Sequence, residues 1–146
     1  MATETELAYA AGIIDGEGCI GIWKYRQPRC QHGYTYALRV TVTMTEPEVP
    51  TWLFETFGGC LNDYPPEREE WKRKYIWAIS TKQARPFLGT ILPYLKEKVE
   101  QAEIAIEFQS TKKMGDYRNK PKTDAVLEAE EILAVKLRNL RNTKAD

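Results

Sequence analysis

The stretch at residues 8–20, AYAAGIIDGEGCI, decides how the N-terminal part of this chain folds. Its helical spacing predicts an apolar face that consists of Leu7, Ala10, Ala11 and Ile14. Two acids, Asp15 and Glu17, follow among glycines. The C-terminal end of a helix carries partial negative charge, so acids placed there require a compensating charge nearby. The stretch therefore predicts a helix over residues 5–15 with a source of positive charge close to its end.

The same helix has a second face of small residues, formed by Ala8, Gly12 and Asp15-Gly16. A helix that is apolar or small on nearly all sides is normally buried on all sides. The chain contains no second copy of the segment that could cover this face. We therefore expect a homodimer, with Ala8, Gly12 and Asp15 at the interface between the two subunits.

The composition is that of a globular protein of one main domain, with 146 residues and 21 basic against 21 acidic side chains. A zero net charge argues against a uniformly basic nucleic-acid binder. The charges are unevenly distributed, however, because residues 19–45 contain no acid. The basic residues of that segment are Lys24, Arg26, Arg29 and Arg39. One side of the molecule is therefore expected to be basic.

The location expected from the sequence is intracellular, with no membrane partner. The three cysteines, at positions 19, 30 and 60, are an odd number without metal-type spacing, which favours a reducing compartment. No apolar run approaches the ~20 residues that cross a bilayer, and the N-terminus lacks the basic start of a signal peptide. The compartment itself is not specified by these features.

Periodicity along the chain predicts an α+β fold with the order α-β-β-α-β-β-α, followed by further helices. After the first helix we expect strands over 19–26, 34–45, 60–64 and 71–81, with a helix over 48–57 that ends at Gly58-Gly59. Helices over 82–92 and 96–113 follow, separated near Pro93. A single domain over residues 1–115 is thus predicted. A polar linker over 115–122 leads to a C-terminal amphipathic helix over 123–142, packed on the domain within residues 116–146.

The strands predict an outer sheet face on which polar and aromatic side chains are mixed. In the second strand Thr35 and Arg39 alternate with apolar residues that point to the other face. One explanation is an ordinary amphipathic sheet whose outer face is exposed or covered by the C-terminal helix. The other is a surface that reads base edges in DNA. For that surface the candidates are Trp23, Tyr25, Thr35, Arg39, Thr41, Asn62, Tyr64, Arg73, Tyr75 and Trp77.

Residues 10–18, AAGIIDGEG, resemble the LAGLIDADG motif of homing endonucleases, with Glu17 in place of the second Asp. The segment 91–98, ILPYLKEK, resembles the stretch that carries the active-site lysine of this family. Residues 42–48, together with 52–53 and 57–59, resemble its second strand and helix. The resemblance covers about residues 5–110.

The resemblance implies an αββαββα core with a saddle-shaped antiparallel sheet and a DNA endonuclease that works as a homodimer. The motif helices of two subunits would pack side by side, and each would direct Glu17 to a shared divalent cation. The Gly16 carbonyl would join Glu17 as a ligand of Mg²⁺, and Lys98 would sit near the scissile phosphate or order the attacking water. The implied substrate is double-stranded DNA with a long pseudo-palindromic target, as for an intron-encoded or free-standing enzyme.

Two residues that the resemblance makes catalytic also have simpler explanations. Glu17 could end a close-packed helix without any chemical role, and Lys98 could be a solvated lysine on a helix. One further feature departs from the family: Met44 occupies the position that the family commonly fills with Asn or Gln. A thioether cannot donate a hydrogen bond, so Thr45, or an alignment shifted by one residue, would have to supply the missing donor. Glu46 and Glu48 also stand in a region where some members carry a basic residue.

These departures keep a second class of function open, a protein of the same fold that binds DNA or intron RNA without cleavage, such as a maturase or a regulator. A third class, a scaffold without any nucleic-acid role, is favoured only by the neutral net charge. A zinc site at Cys30 and His32 with Cys19 or Cys60 has poor spacing. A glycine-rich nucleotide site is excluded because Gly16, Gly18 and Gly21 follow a helix, whereas that site follows a strand.

Overall fold

The structure, a computed structural model, describes residues 2–28, 33–113 and 124–145. Its elements follow the predicted order. They are α1 (Glu4–Glu17), β1 (Gly18–Arg26), β2 (Tyr34–Met44), α2 (Glu48–Phe57), β3 (Cys60–Tyr64), β4 (Lys74–Ser80), α3 (Thr81–Ile91), a 3-10 turn (Leu92–Tyr94), α4 (Val99–Lys113) and α5 (Asp124–Ala145). The predicted α+β class is confirmed.

The four strands form one antiparallel sheet in the order β1-β2-β4-β3. Their register places Ile22 opposite Leu38, and Val42 opposite both Gly18 and Trp77. Successive side chains of a strand point to opposite faces. The register therefore creates one face of apolar residues and a second face of mainly polar ones, as the alternation in the sequence predicts.

The helices pack on the apolar face and form the core with it. The buried side chains of β2 are Tyr36, Leu38, Val40 and Val42, as predicted. In β4 the side chain of Trp77 is fully buried, and its Nε1 donates a hydrogen bond of 2.8 Å to the Gly58 carbonyl. The Trp77 ring also meets the edge of Phe87 from α3, with ring centroids 5.3 Å apart. We refer below to this apolar side as the covered face and to the opposite side as the outer face.

The ends of α1 are set by local sequence. Thr3 caps the N-terminus and exchanges hydrogen bonds with Glu6, which completes a capping box. At the other end the chain passes from α1 into β1 at Gly18, where a Cβ atom would lie 2.8 Å from the Ile14 backbone. Only glycine permits this close passage. The strand therefore begins directly beneath the last turn of the helix.

Two predicted boundaries differ from the structure. The helix predicted to start at residue 96 starts at Val99, because residues 95–98 form a turn whose N–H groups are bound elsewhere. The strand predicted to start at residue 71 starts at Lys74. Residues 65–73 are not strand, since Pro65 and Pro66 open the connection and proline cannot donate to a sheet ladder.

The C-terminal helix α5 packs against α4 and along β1, the strand at one edge of the sheet. Its buried residues include Leu127 and Leu137. The predicted linker over 115–122 lies outside the described residues. Among the helices of the described ranges, none is both long and apolar enough to cross a membrane.

Candidate active site and nucleic-acid interface

The first of the two motif acids, Asp15, is held by the backbone of its own chain. Its carboxylate accepts hydrogen bonds from the N–H groups of Lys96, Glu97 and Lys98, at 2.9, 3.2 and 3.0 Å. These N–H groups come just before α4, at the positive end of that helix, where a carboxylate is favoured. Asp15 therefore ties the end of α1 to the start of α4.

Lys98 makes the reciprocal connection. Its Nζ donates to the carbonyl oxygens of Ile14, Asp15 and Gly18, at 2.8, 3.1 and 2.7 Å. An ammonium group has three hydrogens, so these bonds use all of them. Placed on the negative end of the α1 dipole, the Lys98 charge is the compensation that the sequence requires. We call the reciprocal pair Asp15–Lys98 the junction lock.

The second motif acid, Glu17, is exposed at the last position of α1. Within the described part of the chain its carboxylate has no hydrogen bond and no ion pair. Gly16 beside it is also exposed, and a Cβ atom there would meet nothing within 4 Å. The junction lock thus holds the backbone on which Glu17 sits while its carboxylate stays available.

The predicted dimer residues separate into two groups. Ala8 and Gly12 are exposed on α1, and a Cβ atom at Gly12 would again meet nothing within 4 Å among the described residues. Asp15 is bound within its own subunit by the junction lock. Its carboxylate is therefore committed inside the chain, whereas Ala8 and Gly12 keep an open face of small residues.

An open cleft of about 390 Å³ adjoins the end of α1. Its walls come from three parts of the chain: the α1–β1 passage, the start of α4 and the last turns of α5. The lining residues are Asp15, Gly16, Gly18, Cys19, Glu97, Lys98, Gln101 and Arg141. The motif, the lysine segment and the C-terminal helix therefore meet at one place.

Seven of the ten candidate DNA-reading residues lie on the outer face of the sheet. Alternation places Trp23 with Tyr25 in β1, and the register brings Thr41 opposite Ala78 and Arg39 opposite Gly21 and Ser80. The complete set is Trp23, Tyr25, Thr35, Arg39, Thr41, Asn62 and Tyr64.

The predicted outward position of Trp77 and Tyr75 is wrong. Trp77 is opposite Val42 and Leu61 on the covered face, with 0 % of its surface exposed. Tyr75 has the same parity and pairs with Met44. The prediction starts this strand at residue 71. From there the alternation of Lys74, Tyr75, Trp77 and Ser80 alone does not show which side chains of β4 point to the outer face. Burial of the large apolar Trp77 ring then decides which face turns inward.

Arg73 precedes β4 and binds the Asp63 carboxylate of β3 at 2.7 Å. It therefore bridges two neighbouring strands. The outer positions of β4 that sequence reasoning missed are Lys74, Ile76, Ala78 and Ser80. Thr43 also lies on the outer face, where the correctly predicted alternation of β2 already puts it. The correct register of a single strand pair would have identified the positions in β4, because parity along a strand is fixed by one buried residue.

Met44 ends β2 half-buried, packed against the hydrophobic core. It pairs with Tyr75 on the covered face. Its thioether therefore contributes to packing at this position.

At the end of α1, Glu17 offers an exposed carboxylate for a metal. No group of three or more His, Cys, Asp or Glu is assembled within residues 2–28, 33–113 and 124–145. Mg²⁺ keeps several waters and takes one or two carboxylates together with phosphate oxygens. Glu17 and Gly16 are both exposed, so their carboxylate and carbonyl could supply part of such a ligand set. Cys30 and His32 of the zinc alternative lie outside the described residues.

No protein-family model and no curated protein sequence matches the chain. Solved structures do match. The homing endonuclease I-CvuI, solved in complex with a DNA target, is 21% identical, with a TM-score of 0.74 over 94% of this chain and 82% of that one. The archaeal intron-encoded homing endonuclease I-Vdi141I, complexed with DNA, is 17% identical, with a TM-score of 0.76 over 94% and 84%.

A third similar structure is longer. The LAGLIDADG homing endonuclease I-LtrWI, bound to target DNA, is 17% identical, with a TM-score of 0.69 over 93% of this chain but only 45% of that one. These likenesses establish that the chain has the LAGLIDADG homing endonuclease fold, and they confirm the resemblance at the level of the fold. With one motif, the chain corresponds to about half of the longer structure.

Proposed function

We propose that this protein is a site-specific double-strand DNA endonuclease that acts as a homodimer with a divalent cation. The observation that carries the proposal is the environment of Glu17. This acid ends a helix whose neighbouring acid, Asp15, and whose Ile14 and Asp15 carbonyls are bound by the junction lock. An acid exposed at so rigid a position is suited to hold a cation against a phosphate.

Duplex DNA is the substrate that suits the outer face. The eleven residues of β2 extend over about 36 Å at ~3.3 Å per residue, close to the ~34 Å of one DNA turn. Side chains of Arg39, Thr41 and Asn62 offer donors and acceptors for the major groove, where each base pair presents a distinct pattern. The similar proteins I-CvuI and I-Vdi141I were solved with DNA, which supports this choice.

A homodimer follows from the open face of α1. Ala8 and Gly12 are exposed, and no atom of the described chain would contact a Cβ at Gly12. Small residues allow two helix backbones to approach closely. The match to about half of I-LtrWI also supports two copies of this unit around one DNA. Two protomers would prefer a pseudo-palindromic target.

In the proposed site Glu17 and the Gly16 carbonyl of each protomer hold Mg²⁺. When bound, the cation supplies stabilisation of phosphate charge and acidifies water. Asp15 and Lys98 act as positioning residues, because they fix the end of α1 without using the carboxylate of Glu17. A contact between Lys98 and the scissile phosphate remains a prediction; in the structure its three hydrogens point to carbonyls.

A second function, DNA or intron-RNA binding without cleavage, is favoured by one observation. Met44 packs on the core at the position where the family commonly has an amide. The two functions are separated by incubating the protein with a randomised duplex library, with Mg²⁺ or with EDTA, and sequencing the new ends. Cleavage with Mg²⁺ alone, at one long site of two related halves, supports the endonuclease. Enrichment of bound but uncut duplexes would support the binding protein. A protein that neither cleaves nor enriches any duplex would contradict both functions.

A further inference from the structure

Two cations line the cleft at the end of α1, and they differ in what they can still bind. Lys98 directs its three ammonium hydrogens to the carbonyls of Ile14, Asp15 and Gly18. Arg141, from the last turns of α5, uses only Nη1, which donates to the Ile20 carbonyl at 3.3 Å and contacts Cys19 Sγ at 3.7 Å. Among the described residues its Nε and Nη2 have no hydrogen-bond partner.

The chain is built to hold Arg141 in this place. Its guanidinium lies over the ring of Trp23, 4.5 Å from the ring centroid, an arrangement that attracts a cation to an aromatic face. Gly21 provides the space, since a Cβ atom there would lie 2.5 Å from Arg141 Nη1 and 2.6 Å from the Trp23 ring. The absence of a side chain at residue 21 thus admits the guanidinium to the edge of β1.

A second observation is an unsatisfied polar group beside this cleft. Gln101 of α4 lines it and is only 1 % exposed, yet its Oε1 has no hydrogen-bond partner in the described part of the chain. A buried oxygen without a hydrogen bond is unfavourable. The cleft therefore has a polar wall on the α4 side as well as the Arg141 guanidinium, and an anion would match the charge of Arg141.

The charge along α5 agrees with such a ligand. The acids of this helix stand in its first half, at Asp124, Glu128, Glu130 and Glu131, and the bases in its second half. The basic half is the one that reaches Cys19 and Ile20. Arg138, one turn before Arg141, acts elsewhere: burial raises the pKa of the Tyr36 hydroxyl on the covered face, and the charge of Arg138 opposes that rise.

We infer that Arg141 binds a phosphate of the DNA backbone at this cleft, so that the C-terminal helix is part of the nucleic-acid interface. The inference rests on the proposed function. A guanidinium can give two parallel hydrogen bonds to one phosphate, and Nε and Nη2 are the pair left for this. Some members of the family carry a basic residue after the second strand, where this chain has Glu46 and Glu48. Arg141 would thereby provide the positive charge that is missing there.

The experiment measures affinity for a randomised duplex DNA pool by fluorescence anisotropy over a series of salt concentrations. Each phosphate contact contributes a slope of about −0.9 to log K against log salt. R141Q should therefore flatten the slope by about one per protomer, and R141K, which keeps the charge, should restore most of it. R138Q removes the same group one turn away and is the matched control, with the wild-type slope expected.

A purely structural role for Arg141 would lower the melting temperature without changing the slope, and this result would overturn the inference. A wild-type protein that binds no duplex would instead overturn the proposed function together with it. Should R141Q fail to fold, arginine modification by phenylglyoxal can be read on the wild-type protein by mass spectrometry. DNA should then protect Arg141 but not Arg138; equal modification of Arg141 with and without DNA would also overturn the inference.

Discussion

The two sides of the end of α1 differ although their residues are neighbours in sequence. On one side, Asp15 and Lys98 connect the end of α1 to the turn before α4 with six hydrogen bonds, three through the carboxylate and three through the ammonium. On the other side of α1, Ala8, Gly12 and Glu17 are exposed. The comparison teaches that one motif can supply both a bound connection and an exposed surface, provided that the two acids point in different directions.

The largest effect should come from blocking the exposed small-residue side of α1 with a bulky residue. In G12L the leucine starts from a position where a Cβ meets nothing within 4 Å among the described residues, so the fold should persist while two α1 helices can no longer approach. We expect a monomer in sedimentation experiments and no detectable cleavage.

The matched control for this variant is G89L. Gly89 is also exposed in a helix with nothing within 4 Å of a Cβ, and its replacement should leave the dimer intact. A G12L protein that sediments as a dimer would show that α1 is not the interface.

The next effect in size concerns Glu17 itself. E17Q keeps the shape of the side chain and removes its charge, so single-turnover cleavage with Mg²⁺ should fall by about 100- to 1,000-fold, the range for losing one group that stabilises charge in the transition state. Unfolding free energy should stay within about 0.5 kcal/mol of wild type, as for a surface substitution. Unchanged cleavage would assign Glu17 to the end of a helix and favour the binding protein.

A smaller effect, now on stability, is expected on the side of the junction lock. K98M removes the ammonium and its hydrogen bonds to two carbonyls of α1 and one of β1, which should lower the free energy of unfolding by about 1.5–3 kcal/mol. Urea denaturation of K98M and of K82M, an exposed lysine of α3, provides the comparison. Equal stability of the two variants would mean that the lysine is only a surface charge.

The smallest effect is expected for the other half of the junction lock. D15N retains an oxygen but loses the charge that binds three N–H groups before α4, so we expect about 1–2 kcal/mol of destabilisation, as for a lost helix cap. Because Asp15 and Lys98 hold the same junction, the double variant should be at least about 0.5 kcal/mol less destabilised than the sum. Strict additivity would show that the two residues act independently.

Much of the fold could be predicted because it depends on patterns that lie close together in sequence. Alternation over β2 places Tyr36 and Val42 on the covered face correctly. The glycines after α2 end that helix where expected, with positive φ angles of 83° and 89° at Gly58 and Gly59. The first strand of the second hairpin, β3, also has the predicted bounds.

The errors lie where a distant contact decides. Trp77 has the same neighbours in sequence whether it points inward or outward, and only its packing against Phe87 and Gly58 selects the covered face. The start of α4 is delayed because Asp15, more than eighty positions earlier in the chain, binds the N–H groups of the preceding turn.

The sequence by itself determined that two acids follow a helix of small residues, and that a positive charge must lie near them, because the helix dipole acts locally and can be deduced from residue order. Only the tertiary structure decided that the positive charge is that of Lys98, and that Asp15 is bound while Glu17 stays exposed. Lys98 reaches the end of α1 from the turn before α4, and Arg141 of α5 reaches the adjoining start of β1, over chain separations that no local pattern encodes. Packing of the helices on the sheet brings these charges together. That packing binds the carboxylate of Asp15 in hydrogen bonds and leaves the carboxylate of Glu17 exposed.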